Sequence, residues 1–436
     1  MIIEKKKIKL INFFFFLLFF SLLILFINAG IDLVGLYSLI FVSLVIFYFS
    51  KKYESLATIL YFALFLRLAL IYLGNYFIIL PDSWGDAVLF ENFAWGLAQH
   101  DFLTMLSKFS INQSSYFISW ILAFLYFFTD RSIIMGQSLS LLFGMSSILL
   151  GLRIANKIWN EATSIKIGWI LAFYPTLILY STLILREAYV WFFLLVAIYG
   201  IVCWSQNNSL KALIITFIGF FGATIFHGGL LIGGFIFAFI LLIHSIKKLI
   251  LRLKYLILSI NSMLIVIFSI VSIFYLILNS DSIPKIGFLL KNYDSQILLN
   301  KIENRNKNDA AYPEWTIPKT ELEIIYKAPI RVIYFIFSPF LWDVKKNSHL
   351  IGFFDGAFHL ILVFLFIKNF KSIWSDRTLR IIFIILASYF LIFGIGTGNF
   401  GTGIRHRTKF LIILMIMVAP WIPKFVLKKN KRNIFK

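Results

Sequence analysis

The stretch PDSWGDAVLFENFA, residues 81–94, holds two carboxylates four positions apart, Asp82 and Asp86. On a helix that spacing puts both on one face, where they repel unless a proton, a metal or a basic side chain intervenes. A turn at Pro81-Asp82-Ser83 running into a helix instead makes Asp82 or Ser83 an N-cap. A third acid, Glu187, follows Arg186 between two apolar runs, and two more stand at Asp343 and Asp355. The matching basic groups are Arg331, ahead of an aromatic run, and the cluster Arg405, His406, Arg407 and Lys409 in GTGNFGTGIRHRTKF, residues 396–410. A carboxylate can take a proton from an attacking hydroxyl. Guanidinium groups bind phosphate oxygens in pairs and offset the charge on a phosphate leaving group. The glycines ahead of Arg405 would let backbone N–H groups turn toward the same anion. Plainer roles compete: lipid-headgroup contact for the basic cluster, a snorkelling helix turn for Arg186-Glu187, and structural positions for His227 and His359. Asp355 lies inside an apolar run, where pairing with an arginine from a neighbouring helix is the ordinary alternative to function.

The elements that position these residues are membrane helices. The 436-residue chain is 60% hydrophobic and only 14% charged, more apolar surface than one soluble core hides. Its mean hydropathy is +0.89, and apolar runs of membrane length recur from end to end, so the fold class is an all-α polytopic membrane protein. About 12 transmembrane spans are expected, at 8–28, 32–50, 55–79, 132–153, 165–184, 188–204, 210–226, 229–246, 254–278, 350–368, 379–396 and 408–426. Two shorter apolar stretches, 114–128 and 329–342, read as interfacial helices. The units are a two-helix segment at 1–54, a core at 55–278 with a first loop at 80–131, a loop at 279–349, and a three-helix segment at 350–436.

With both termini cytoplasmic, the connections at Lys51-Lys52, RIANKIWNEATSIK, SQNNSLK, HSIKKLILRLK and KNFKSIWSDRTLR, and the basic tail, all fall inside, as the positive-inside rule requires. Asp82, Asp86, Glu187, Arg331 and the Arg405 cluster then share the outer side, where two larger loops lie. The net charge of +21 is explained by this topology rather than by nucleic-acid binding. A single cysteine, Cys203, excludes a disulfide framework and a thiolate metal cluster. No phosphate-loop, dinucleotide, zinc or hydrolase-elbow pattern occurs.

The order PDSWGDAVLFENFA, then YPTLILYSTLILREAYVWFF, resembles membrane glycosyltransferases of the GT-C type, including the protein O-mannosyltransferase and aminoarabinose-transferase branches. Asp86, Phe90 and Ala94 match that group's first-loop pattern, and Pro175, Ser181 and Glu187 its second. The C-terminal half, with its long loop and GIRHRTK, is similar to surface-polysaccharide (O-antigen) polymerases. The resemblance implies inverting transfer from a polyprenyl-(pyro)phosphate-linked sugar to a glycan or lipid acceptor, in a bacterial inner membrane. Asp86, or else Asp82, would be the general base. Glu187 would position the acceptor or a divalent cation shared with Asp86, and Arg405, Arg407, Lys409, Arg331 and Arg186 would hold phosphate. His406, Asp343, Asp355 and His227 are further candidates. Membrane lipids are partners on any reading. The alternatives are a polymerase joining lipid-linked repeats and a non-enzymatic lipid-glycan flippase or transporter.

Overall fold

Wherever the sequence offers a long apolar run behind a side-chain cap, a helix forms. Asp32 accepts from the Gly35 N–H, Ser132 from Met135, Asn160 from Thr163, Asp376 from Leu379 and Asn399 from Thr402. Each satisfies an amide that the first helical turn leaves open. The computed structural model describes residues 2–109, 116–253, 295–305 and 309–423. It is 84% helix, and among the described residues the only strand-like pairing is an isolated bridge between Ala311 and Asn399.

The helices, in chain order, are α1 (Ile2–Asn28), α2 (Leu33–Lys52), α3 (Ala57–Tyr76), α4 (Asp86–Ala98), α5 (Phe102–Ser107) and α6 (Phe117–Phe128). There follow α7 (Ile133–Ile158), α8 (Glu161–Phe173), α9 (Pro175–Tyr180), α10 (Glu187–Asn207), α11 (Leu210–Phe226) and α12 (Leu231–Leu253). The last are α13 (Ser295–Asn304), α14 (Glu321–Phe337), α15 (Asn347–Lys368), α16 (Phe370–Ser375), α17 (Arg377–Gly396) and α18 (Phe400–Val418). Among the described residues, seven helical segments are long and apolar enough to cross a membrane. The expected span at 254–278 lies outside the described residues.

Two expected spans take a different form. The run at 165–184 is two helices, because Pro175 has no amide hydrogen and keeps Tyr174 extended, at φ −66° and ψ 118°. Residues 181–186 then run non-helically into α10. The final helix begins at Phe400 rather than 408, so Arg405, His406, Arg407 and Lys409 lie on a helix and not in a glycine loop. The expected anion-binding concavity of backbone amides is therefore not formed there. Helix α14 also departs from expectation, since it runs through Pro329 instead of starting at it.

Helices α7, α10 and α18 form the centre, with α12 and α15 at the periphery. α10 and α11 touch backbone to backbone: a Cβ on Gly219 would stand 2.3 Å from the Ala197 amide nitrogen. Small residues at such a crossing let helices pack closely where lipid supplies no hydrophobic drive. One end of the bundle gathers the starts of α4, α10 and α18 and the α17–α18 turn. The other gathers the ends of α2 and α7, where the Trp159 indole donates to the Ile416 carbonyl at 2.8 Å and the Lys166 ammonium to Pro420 and Ile422.

Candidate functional site

Asp86, Glu187 and Arg405 meet at the first of these ends. The Arg405 guanidinium donates through Nη1 to Asp86 Oδ2 at 2.7 Å and through Nε to Glu187 Oε1 at 2.9 Å. The Asp86 side chain is 45% exposed and that of Glu187 1%, so the bridge joins a half-exposed carboxylate to a buried one. Each member has a local reason to be there. Asp86 opens α4 after a turn in which Asp82 and Gly85 adopt φ of +59° and +71°. Glycine takes that conformation without penalty and aspartate tolerates it. α4 itself is fastened through Glu91, which accepts from Arg131 Nε at 2.9 Å and Nη2 at 2.6 Å and from the Tyr126 hydroxyl at 3.1 Å. Glu187 is the first residue of α10, delivered by the break after α9.

The remaining candidates around this core divide by depth. The Tyr180 hydroxyl donates to Asp82 Oδ2 at 2.9 Å. Asp82 sits in the turn before α4, whose N-cap is Gly85, so it neither caps the helix nor shares a helix face with Asp86. The Lys409 ammonium lies 3.8 Å from Glu187 Oε1 and 2.7 Å from His406 Nδ1, and only 2% of the residue is exposed. It is a buried cation behind the site, not a headgroup-level one. His227 and His406 pack ring to ring at 5.2 Å. Arg186 lies over the Phe90 ring at 5.4 Å and donates to the Phe226 carbonyl, so it does not snorkel to water. Three buried polar atoms here have no hydrogen-bond partner: Glu187 Oε2, Arg405 Nη2 and Arg186 Nε. Leaving such atoms unpaired costs about 1–3 kcal/mol each, so the wall of this site favours a polar ligand or water.

Four expected phosphate or site residues are engaged elsewhere. Arg407 is fully buried and spends its donors on Asp355 Oδ2 at 2.6 Å, on the Ile336 and Gly352 carbonyls at 3.1 Å, and on the Ser338 carbonyl. Asp355 also accepts from the Tyr174 hydroxyl at 2.7 Å and the Thr176 hydroxyl at 3.3 Å, with His359 3.6 Å away. Arg331, also fully buried, donates to the carbonyls of Ile395, Thr316 and Thr397 at 3.1, 3.2 and 2.6 Å. Both arginines hold chain segments together and have no free face toward a phosphate. Asp343 accepts from the Phe340 amide at 3.0 Å and caps its own short turn.

Sequence reasoning missed Arg67, Tyr174 and Tyr180. Arg67 is buried in α3 and donates to Ser181 Oγ at 2.9 Å and to the Ala63, Ala172 and Leu171 carbonyls, which ties down the α8–α9 break. A lone arginine in the middle of the apolar run FALFLRLALIYL was the available signal. The two tyrosines gave none, since hydroxyl pairing across about 100 or more positions is invisible in a local pattern. Among the described residues, no group of three or more His, Cys, Asp and Glu side chains could hold a metal ion. Between Asp86 and Glu187, the place considered for a divalent cation, lies the Arg405 guanidinium. No known family model, curated protein or solved structure matches the chain.

Proposed function

We propose that the chain is a membrane glycosyltransferase that uses a polyprenyl-phosphate-linked sugar at the outer face of a bacterial inner membrane. The observation that carries the reading is the meeting of Asp86, Glu187 and Arg405, from three helices remote in sequence, with polar atoms left unpaired in the wall behind them. On this reading an acceptor hydroxyl attacks the anomeric carbon of the donor, and the bond from that carbon to the lipid phosphate oxygen breaks. The hydroxyl proton passes to Asp86, and the lipid phosphate leaves with the electron pair. The free Nη2 of Arg405 is the donor nearest to hand for the developing phosphate charge. Glu187 holds Arg405 in register from behind, and Tyr180 fixes Asp82 beside the mouth.

The basic ends of α2 and α7 are then cytoplasmic, and the chain crosses about 12 times. That count adds to the seven long apolar segments the helices α1, α8–α9, α11 and α18 and the stretch at 254–278. A carboxylate partnered by arginine at one face of the bundle favours transfer chemistry over transport, which calls for charges along a path through both leaflets.

The test is transfer from a panel of polyprenyl-phosphate sugars by the purified chain in proteoliposomes. Asp86→Asn should lower the rate by about 10²–10⁴-fold, the range for losing a general base. Arg405→Lys, which keeps the charge and loses the bridge, should fall by about 10²-fold or more. Asp86→Asn, at a half-exposed side chain, should unfold close to wild type. Wild-type rates in Asp86→Asn would remove Asp86 as base and with it this mechanism.

A further inference from the structure

At the opposite end of the bundle from Asp86 is an open cavity of about 670 Å³. It lies between the ends of α2 and α7 and the starts of α3 and α8. Its charged and aromatic lining is Lys51, Lys52, Tyr53, Glu54, Arg153, Lys157 and Glu161, with the apolar Leu56 and Leu152. Four cations face two acids, and among the described residues none of the four makes an ion pair. Their plain role is to offset the carbonyl ends of α2 and α7, which carry partial negative charge. That accounts for cations at helix ends but not for a cavity of ligand size between them.

Arg153 is more than a helix-end charge. Its guanidinium is set between the rings of Tyr53 and Tyr199, at 5.5 and 5.6 Å from their centroids. Contact with two rings restrains the guanidinium, and a restrained guanidinium can offer an oxyanion paired N–H donors. Lys52 lies 6.0 Å from the Tyr53 ring centre, and Lys51 and Lys157 add mobile point charges. Paired donors from a fixed arginine, surrounded by lysines, suit a phosphate group better than a carboxylate or a nucleobase. The cavity opens where helices end, and its lining includes the apolar Leu56 and Leu152 beside the charged groups.

We propose that this cavity binds a phosphate-bearing group, supplied by an anionic lipid headgroup or by a soluble phosphate compound. The proposal is independent of the sugar-transfer reading, because the cavity's residues on α7, Leu152 to Lys157, stand roughly 30 Å or more from the other end of that helix.

The experiment uses the full chain purified into phosphatidylcholine nanodiscs with and without phosphatidylglycerol, and native mass spectrometry of the lipid retained. A second arm measures protection of Lys51 and Lys52 from acetylation by inorganic pyrophosphate. Retention of phosphatidylglycerol should fall about five-fold for each cation removed, in Arg153→Gln and Lys52→Gln, and rise by a similar factor in Glu54→Gln. A gain in Glu54→Gln cannot come from misfolding. That pattern identifies a lipid source. Protection by pyrophosphate without selective lipid retention identifies a soluble one. Equal retention by wild type and all three variants, with no protection, overturns the proposal.

Discussion

Arg407 and Arg405 stand two residues apart on α18, yet Arg407→Met should be a stability variant and Asp86→Asn, at Arg405's partner, an activity variant. The Arg407 side chain is 0% exposed and that of Asp355 3%, with 2.6 Å between Nη2 and Oδ2. Removing the guanidinium leaves a buried carboxylate with only the Tyr174 and Thr176 hydroxyls, and strips the Ile336, Ser338 and Gly352 carbonyls of a donor. Breaking a buried pair from one side costs about 3–5 kcal/mol. Asp355→Leu should cost a similar amount, since it strands the guanidinium. The double variant removes both charges, so its loss should fall about 2–3 kcal/mol short of the sum of the singles, the upper range of coupling between contacting residues. The assay is unfolding of the purified chain in mixed micelles of rising SDS content, followed by tryptophan fluorescence, with all four proteins on one day. A loss under about 1 kcal/mol in Arg407→Met, or strict additivity in the double variant, would refute the claim that Arg407 is a buried tie.

Three further outcomes follow from the same packing. Arg67→Met removes donors from the Ala172 and Leu171 carbonyls and from Ser181, at about 1–3 kcal/mol per stranded group in the same unfolding assay. Gly144→Ala would place a Cβ 2.4 Å from that of Ser181, so it should destabilise by about 1–3 kcal/mol through overpacking. Tyr180→Phe removes the hydroxyl that holds Asp82. It should leave unfolding within about 1 kcal/mol of wild type while lowering transfer several-fold, a split read by running both assays on one preparation.

Helix class was legible because a run of apolar residues and its cap are local. Helices α2, α10, α11, α15 and α17 begin and end within a few residues of the expected spans. The failures were local too, but of a kind hydropathy does not weigh. At Pro175 the missing amide breaks a run that is apolar throughout, and the break delivers Glu187 to the site. At 396–403 the glycine content argued for a loop, whereas Asn399 caps a helix that absorbs Gly401 and Gly403 in its first turn. Of the proposed site, Asp86, Glu187 and Arg405 were readable as chemistry-bearing residues, and their meeting was not, since no local pattern records a contact between positions 86 and 405.

Arg331, Arg405 and Arg407 looked alike in sequence, as guanidinium groups beside apolar runs, and their fates differ because of what the neighbouring helices offer. Arg331 faces the end of α17, whose terminal carbonyls have no helical partner, and it satisfies Ile395 and Thr397 while clasping Thr316. Arg407 faces α15, where Asp355 supplies a counter-charge and the segment around Ser338 supplies carbonyls, so its burial is compensated completely. Arg405, half a turn away, faces two carboxylates of unequal exposure and keeps Nη2 unpaired. An arginine whose donors are all satisfied by its own chain is held as structure. One with two acids to neutralise and a donor left over is, on the proposed reading, the one that meets a substrate, and α18 carries both kinds two residues apart.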